Sequence, residues 1–228
     1  MTGALCGKIG YDFSNRALLE TALTHASAQK KSARKTAGNA KDNNERLEFL
    51  GDRVLGLAIA DLLIAAFPGE AEGSLAKRHT SLVQQQALVR VAREIGLAEH
   101  LKLSTGEMKS GGQKKDKILA DAMEALIGAL YLDAGLAPAR DFVRRAWDAA
   151  MAGMTAPPKD AKTALQEFVL ARGFALPRYE LVSRDGPPHD PVFVIAVAAG
   201  GGRGEGRAGS KRAAERMAAA DLLAHLAP

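Results

Sequence analysis

Three closely spaced carboxylates, Glu45, Glu48 and Asp52, stand at positions i, i+3 and i+7 of one segment. Because an α-helix repeats every 3.6 residues, a helix over this segment carries all three on one face. Like charges at this spacing repel by roughly a few tenths of a kcal/mol per pair, so a cation is expected nearby. Hard divalent cations such as Mg²⁺ suit clustered oxygen ligands. The alternative is a solvated acidic face on which Arg46 is the counter-charge.

A second acidic pair, Asp121 and Glu124, lies in the otherwise apolar or small-residue run 118–128. Burying two acids costs free energy unless they are paired or bind a metal. The alternative partners are three nearby lysines, Lys114, Lys115 and Lys117. From the start of a helix these lysines stand more than one turn from Glu124. The two acidic segments together therefore favour a metal site.

Helices must position both acidic segments. The first is expected to run from about 43 to 66, with an apolar stripe of Leu47, Leu50, Val54 and Leu57, and to end at Phe67-Pro68-Gly69. The second is expected over 116–134. A short helix over 15–28, a long one from the Ser74 cap to Gly96 and one from Pro138 to about 151 complete an all-α first domain, residues 1–153.

The pattern changes after a linker at 154–161, which Pro157-Pro158 stiffens. A helix over 162–172 comes first. Alternating residues then predict strands, and Ser210 begins a last helix. The predicted strands are 177–182, 192–198 and 203–208. The second domain, residues 162–228, is therefore a small α+β unit with the order α-β-β-β-α.

These segments resemble bacterial ribonuclease III. The run Asn-Glu-Arg-Leu-Glu-Phe-Leu-Gly-Asp at 44–52 reads as the family signature without a change. Residues 106–112 resemble the family's loop before the second acidic helix, and 121–129 match that helix. The second domain resembles the family's double-stranded RNA-binding domain. The resemblance covers nearly the whole chain and implies an endonuclease domain followed by an RNA-binding domain.

The resemblance implies that Asp52 and Glu124 are catalytic. The expected metal ligands are Glu48, Asp52, Asp121 and Glu124, which bind Mg²⁺ with Mn²⁺ as a substitute. It also implies a homodimer in which each subunit cuts one strand of the duplex. Phe49 is expected to pack across the dimer interface, and the alternative is a core position in its own subunit.

Side chains that bind A-form RNA must reach 2′-hydroxyls and phosphates, because the deep major groove is poorly readable. The residues expected to contact RNA lie in three places of the second domain. They are Thr163, Gln166 and Glu167 on its first helix, His189 in the loop between its first two strands, and Ser210, Lys211 and Arg212 at the start of its last helix. The family usually has a third basic residue where this chain has Ala213. Arg216, one turn on, is its expected partial replacement. The alternative for Gln166 and Glu167 is an ordinary solvent face.

Three further residues are candidate substrate contacts: Asn44, Glu45 and Lys109. For Asn44 the favoured alternative is a helix cap. Glu45 is equally well interpreted as a counter-charge to Arg46 or a lysine, and Lys109 as part of a flexible, glycine-rich connector at 109–117.

Composition narrows the function classes. The chain has 228 residues, a net charge of +5 and an isoelectric point of about 9.4, which weakly favours a polyanionic partner. Cys6 is the single cysteine, so an intrachain disulfide and a cysteine metal site are excluded. We expect no signal peptide, no membrane association, no protein partner other than a second copy, and a cytoplasmic location.

The expected activity is Mg²⁺-dependent hydrolysis of double-stranded RNA, giving 5′-phosphate and 3′-hydroxyl ends with short 3′ overhangs. Processing of ribosomal RNA precursors and other structured RNAs is the expected role. The alternative is a non-catalytic regulator that binds double-stranded RNA, and it is disfavoured because all four acids are present. A DNA-binding helical protein is disfavoured because the second domain has no helix-turn-helix pattern.

Overall fold

In a computed structural model the described residues are 3–28, 43–187 and 191–226. The chain divides into two units, Met1–Pro157 and Pro158–Pro228. The division falls inside the segment 154–161. None of the helices in these ranges is both long and apolar enough to cross a membrane.

The described part of the first unit is helical. Its α-helices are α1 (Gly3–Ile9), α2 (Arg16–Ala22), α3 (Glu45–Ala66), α4 (Glu72–Val83), α5 (Gln85–Glu94), α6 (Thr105–Lys109), α7 (Asp116–Ala134) and α8 (Leu136–Ala152). Short 3₁₀ turns lie at Ala26–Ala28, Leu97–His100 and Gly112–Lys114. The segment 15–28, expected as one helix, is therefore α2 followed by a 3₁₀ turn.

Helix α7 is the centre of the first core. Most of its residues between Ile118 and Leu130 are buried, and α3 packs along it. Two glycines allow the helix backbones to touch. A Cβ on Gly51 would overlap the carbonyl oxygen of Glu124, and one on Gly128 would overlap the carbonyl oxygen of Leu47. The acids of the two helices are thus brought together by backbone contact.

The expected apolar stripe of α3 is partly wrong. Leu47 and Val54 are buried and Leu50 packs against the core, whereas Leu57 is 56% exposed. Leu57 comes ten residues after Leu47. At 3.6 residues per turn, this spacing puts Leu57 on the flank of the helix rather than on the face that meets the core.

The expected long helix over 74–96 is two helices that meet at Gln84. The backbone of Gln84 is extended, with φ −69° and ψ 156°. The indole Nε1 of the buried Trp147 donates a 2.8 Å hydrogen bond to the carbonyl oxygen of Leu82. In a continuous helix that carbonyl would accept from residue 86, so a tertiary partner replaces a helical one. The expected cap at Ser74 is also wrong, because α4 begins at Glu72 and Ser74 lies inside it.

A buried arginine, Arg78, contacts the segment of the chain that follows α3. Arg78 is bidentate to Glu70, with distances of 2.8 and 2.6 Å, and its guanidinium lies 3.8 Å from the ring centre of Phe67. It also donates to the carbonyl oxygen of Met154. The turn that ends α3 is therefore attached to the end of the first unit.

The second unit has two helices and an antiparallel sheet of order β1-β2-β3 in its described residues. Its elements are α9 (Ala161–Leu170), β1 (Arg178–Asp185), β2 (Val192–Ala199), β3 (Gly202–Ala208) and α10 (Lys211–Leu226). A Cβ on Gly206 would overlap the carbonyl oxygen of Ala214, so the glycine-rich β3 lets α10 lie directly on the sheet. The expected fold class, an all-α domain followed by an α-β-β-β-α unit, is confirmed.

Candidate active site

Three of the four expected metal ligands meet between α3 and α7. Glu48 of α3 and Asp121 and Glu124 of α7 each offer a carboxylate oxygen, and these oxygens lie within 4.8 Å of one another. We call this trio the acid nest. Each side chain is half-buried. The i,i+3 spacing on α7 places two acids on the helix face that Glu48 meets.

Asp52, the fourth expected ligand, lies beside the acid nest but is not one of the three that meet. Its Oδ2 accepts a 2.6 Å hydrogen bond from Nη1 of Arg53, whose guanidinium also lies 4.3 Å from the ring centre of Phe49. The open cleft at this place has a volume of about 360 Å³. It is lined by Glu45, Glu48, Phe49, Asp52, Arg53 and Glu124.

Burial and crowding disfavour the charged forms of two acids of the nest, Glu124 and Glu48. Burial, and then the negative charges of Asp52 and Glu48, raise the pKa of Glu124 to about 7 from an ordinary value of 4.5. Burial and the charge of Asp121 also raise the pKa of Glu48. The cleft is therefore a site where a cation would be strongly favoured.

The alternative of a lysine partner holds for one acid of α7, Asp121. Lys117 Nζ lies 2.8 and 3.1 Å from the two carboxylate oxygens of Asp121. One helical turn separates these two residues, so the distance argument applied to Glu124 does not apply to Asp121. The charge of Lys117 also lowers the pKa of Glu124 and of Glu48, against the larger effect of burial.

The segment before α7 is built from short helices rather than an irregular connector. The Ser104 hydroxyl accepts from the Glu107 backbone N–H and caps α6, and Glu107 forms a 2.6 Å ion pair with Lys115. This pairing lowers the pKa of Glu107. Lys109 is the exposed last residue of α6.

The favoured interpretation of Asn44 as a side-chain cap is wrong. Asn44 is buried and its side chain makes no capping hydrogen bond, while Oδ1 of the neighbouring Asn43 accepts from the Glu45 backbone N–H at 3.2 Å. The cap has moved one residue towards the N-terminus. Glu45 is exposed at the edge of the cleft.

Helix α3 presents an apolar face to solvent. Phe49 is 65% exposed, and Leu57 and Ile64 are also exposed. Spacings of eight and seven residues place these three side chains on one side of the helix. Phe49 is not a core residue of its own unit in this structure, so that alternative is wrong.

Helix α9 exposes the expected RNA-contact residues on one face. Thr163, Gln166 and Glu167 are exposed, whereas Leu165 and Val169 on the opposite face are buried in the core that α9 shares with α10 and β2. Glu167 forms a 2.9 Å ion pair with Lys159.

The start of α10 carries the second expected contact. The Ser210 hydroxyl accepts from the Ala213 backbone N–H at 3.3 Å, and Lys211 and Arg212 are exposed beside it. Arg216 forms a 3.1 Å ion pair with Asp160, so its charge is already partnered. The remaining expected contact, His189, lies outside the described residues.

Two family models match the chain. The model described as Ribonuclease-III-like matches residues 15–148, and the one described as double-stranded RNA binding motif matches 161–226. Ribonuclease 3 of Cereibacter sphaeroides is 46% identical over 221 residues, covering 96% of this chain and 93% of that protein. The chain belongs to the ribonuclease III family. It is an endoribonuclease that acts on double-stranded RNA.

Further members of the ribonuclease III family agree. Ribonuclease 3 of Ruegeria pomeroyi is 48% identical over 217 residues, covering 95% of this chain and 93% of that protein. The solved nuclease domain of ribonuclease III from Campylobacter jejuni is 38% identical. The aligned region covers 65% of this chain and 97% of the Campylobacter jejuni domain, with a TM-score of 0.59.

Sequence reasoning missed three residues of this ribonuclease III site. Gly51 and Gly128 allow the close approach of α3 and α7, and their signal was two glycines inside otherwise helical, apolar runs. Arg53 was missed because an arginine adjacent to Asp52 in sequence gives no pattern that predicts a pair.

Proposed function

We propose that the acid nest and Asp52 hold the divalent metal ion with which this endoribonuclease hydrolyses phosphodiester bonds. The observation that carries the proposal is the approach of three carboxylate oxygens to within 4.8 Å of one another from two separate helices. Exposed acids alone do not require a metal. These acids are half-buried and crowded, and such an arrangement costs free energy unless cations balance it.

The donor set fits a hard divalent cation. Mg²⁺ prefers carboxylate and water oxygens, and Mn²⁺ accepts the same ligands. The raised pKa of Glu124, about 7, supports the fit because a divalent charge would offset both its burial and the repulsion from Asp52 and Glu48. We name Mg²⁺ as the cofactor, with Mn²⁺ as a substitute.

When bound, the ion supplies an activated water and offsets charge on the phosphoryl oxygens. Family resemblance assigns Asp52 and Glu124 as the catalytic acids. Glu124 lies between the two helices, where the Gly51 contact holds its backbone. Asp52 lies at the open side of the cleft, and its hydrogen bond from Arg53 orients the carboxylate there. Water attack with departure of the 3′ oxygen leaves 5′-phosphate and 3′-hydroxyl ends.

A homodimer completes the proposed cutting machinery. One acid nest serves one strand, so two copies are needed to cut both strands of a duplex. The exposed face of Phe49, Leu57 and Ile64 adjoins the cleft and is the proposed interface. The related nuclease domain from Campylobacter jejuni is described as flexible in a region involved in dimer formation. Short 3′ overhangs follow if the two sites are offset across the minor groove.

RNA binding is assigned to two places in the second unit, the exposed face of α9 and the start of α10. Thr163, Gln166 and Glu167 are proposed to meet 2′-hydroxyls, and Lys211 and Arg212 phosphates. Cations at a helix N-terminus oppose the helix dipole, so an anion there offsets the penalty. Ser210 and His189 complete the proposed contacts, and Asn44, Glu45 and Lys109 remain candidate contacts of the first unit.

Ribosomal RNA precursors and other structured RNAs in the cytoplasm are the proposed substrates. The activity is tested with a long perfect RNA duplex, comparing wild type with Glu124→Gln in Mg²⁺ and in EDTA. Wild type should cut only with Mg²⁺, and Glu124→Gln should shift the duplex on a gel but cut it at least about 100-fold more slowly, because a metal ligand is lost.

The matched control is Glu94→Gln, which neutralises an exposed acid of α5 that pairs with Arg90. It should cut as wild type does. If wild type binds the duplex but cuts it with neither Mg²⁺ nor Mn²⁺, the metal-site proposal is rejected for this chain.

A further inference from the structure

Lys117 binds the acid nest in an arrangement that local helix preferences do not explain. It lies in the first turn of α7, and both oxygens of Asp121 contact its Nζ. A cation at a helix N-terminus opposes the dipole. A lysine placed before its acid at i,i+4 is also the weaker of the two orders. An acid or a neutral residue at this position would stabilise the helix by itself more than a lysine does.

The arrangement is explained by the charges that it faces. Lys117 is 77% exposed while Asp121 is 19% exposed, so a flexible ammonium reaches from solvent to a largely covered carboxylate. Its charge also acts on Glu48 and Glu124. The nearby Arg53 is bound to Asp52 instead.

We propose that Lys117 is a tethered counter-ion of the acid nest, which occupies Asp121 without metal and must be displaced when the divalent ion binds. This inference rests on the proposed function of the nest. Lys117 is thereby a positioning residue that sets metal affinity. Its exposed ammonium and four-carbon stem allow it to leave Asp121 without a change of fold.

The proposal predicts that loss of the Lys117 charge destabilises the metal-free protein but strengthens metal binding. Without metal, replacing Lys117 by glutamine leaves the repulsion of the nest unopposed and lowers the melting temperature. With metal, one competing charge is gone, so the divalent ion binds more tightly. At a water-like dielectric the loss of one unit charge several ångströms from a divalent ion corresponds to roughly a tenfold change in affinity.

The experiment titrates EDTA-stripped full-length protein with Mn²⁺, following free Mn²⁺ by electron paramagnetic resonance, and records melting temperatures with and without Mn²⁺. Lys117→Gln should bind Mn²⁺ about tenfold more tightly and gain more in melting temperature on binding. Lys117→Arg keeps the charge and should stay near wild type. Lys117→Met, a second neutral variant of similar length, should behave as Lys117→Gln.

Lys114→Gln is the matched control, since it removes the same charge from an exposed lysine of the preceding turn that makes no ion pair with the nest. It should leave Mn²⁺ affinity unchanged. Equal Mn²⁺ affinity of wild type and both neutral Lys117 variants overturns the inference, as does an equal loss of melting temperature with and without metal, which marks a purely structural role.

Glu124→Gln in the same titration separates this inference from the proposed function. Wild-type binding that is lost in Glu124→Gln supports the metal site, and the Lys117 variants then decide the role of the lysine. Wild-type binding that is unchanged in Glu124→Gln overturns the metal site, and the inference about Lys117 falls with it.

Discussion

At the scale of single residues, the acid nest shows how placement changes the chemistry of ordinary glutamates. Glu124 and Glu94 are the same residue type, yet only Glu124 lies between two helices beside other acids. Its raised pKa follows from that placement, chiefly from burial. The proposed metal site thus depends on destabilised carboxylates, which a divalent ion stabilises.

The contribution of Glu124 to the stability of the metal-free protein should therefore fall as the pH rises. The pKa of Glu124 is about 7 when folded and about 4.5 when unfolded, so between these values the folded state binds more protons. The free energy of unfolding then falls with rising pH across this window, and the loss is complete above about pH 7. Glu124→Gln removes this contribution.

The measurement is the melting temperature in EDTA at about pH 5 and about pH 8. Glu124→Gln should exceed wild type at the higher pH, and the difference should shrink at the lower pH. Saturating Mn²⁺ should reverse the order of the two proteins at the higher pH. An identical pH profile for both proteins would contradict the burial of this charge.

At the scale of elements, the contact between α3 and α7 places the nest, and two glycines make the contact possible. Both helices carry acids on the faces that meet, which repel each other. The burial of apolar residues along α7 supplies the free energy that offsets this repulsion. A side chain between the helices would separate the acids as well as disturb the core.

Gly51→Ala and Gly56→Ala test this contact as a matched pair on one helix. A Cβ added at Gly51 would overlap the Glu124 backbone, so we expect a loss of about 3 kcal/mol or more in the free energy of unfolding. At Gly56 a Cβ meets His79 at an ordinary 3.7 Å, and alanine should add about 0.5–1 kcal/mol through helix propensity. Urea unfolding measures both, and similar effects at the two positions would refute the backbone contact.

The break between α4 and α5 makes a second prediction at this scale. Trp147→Phe removes the donor to the Leu82 carbonyl oxygen and leaves a buried acceptor without its partner. The expected cost is about 1–3 kcal/mol in the free energy of unfolding. Hydrogen exchange at the backbone amides next to Gln84 should speed up in parallel. Wild-type stability of this variant would show that the indole hydrogen bond does not hold the break.

At the scale of the whole molecule, cutting and RNA binding are assigned to separate units of the chain. The acid nest lies in Met1–Pro157, and the exposed cations of α10 lie in Pro158–Pro228. Neutralising the cations should therefore weaken substrate binding without altering the chemical step.

Replacing both Lys211 and Arg212 by alanine should raise KM about tenfold or more and leave kcat at saturating RNA unchanged. The slope of log affinity against log salt should fall by about 2, roughly one for each lost phosphate contact. Arg216→Ala is the control, because this arginine of the same helix is paired with Asp160. If net charge alone mattered, Arg216→Ala would lower the salt slope by about 1, half of the change in the double variant.

The sequence alone predicted the helix that carries Glu45, Glu48 and Asp52, the helix of Asp121 and Glu124, and the order α-β-β-β-α. Periodicity, turn residues and the signature at 44–52 are local properties, so one chain is sufficient to read them. Helix ends shifted by a few residues because capping depends on neighbours, as the change from Asn44 to Asn43 shows.

Only the tertiary structure decided which carboxylates meet. It brought Glu48 to Asp121 and Glu124, left Asp52 with Arg53, and joined Lys117 to the nest. It also broke the 74–96 segment into two helices, where the distant Trp147 donates a hydrogen bond to Leu82, and it left Phe49 and Leu57 exposed. These outcomes depend on contacts between residues far apart in the chain. The free energy of such contacts comes from packing and desolvation, which no local spacing of residues contains.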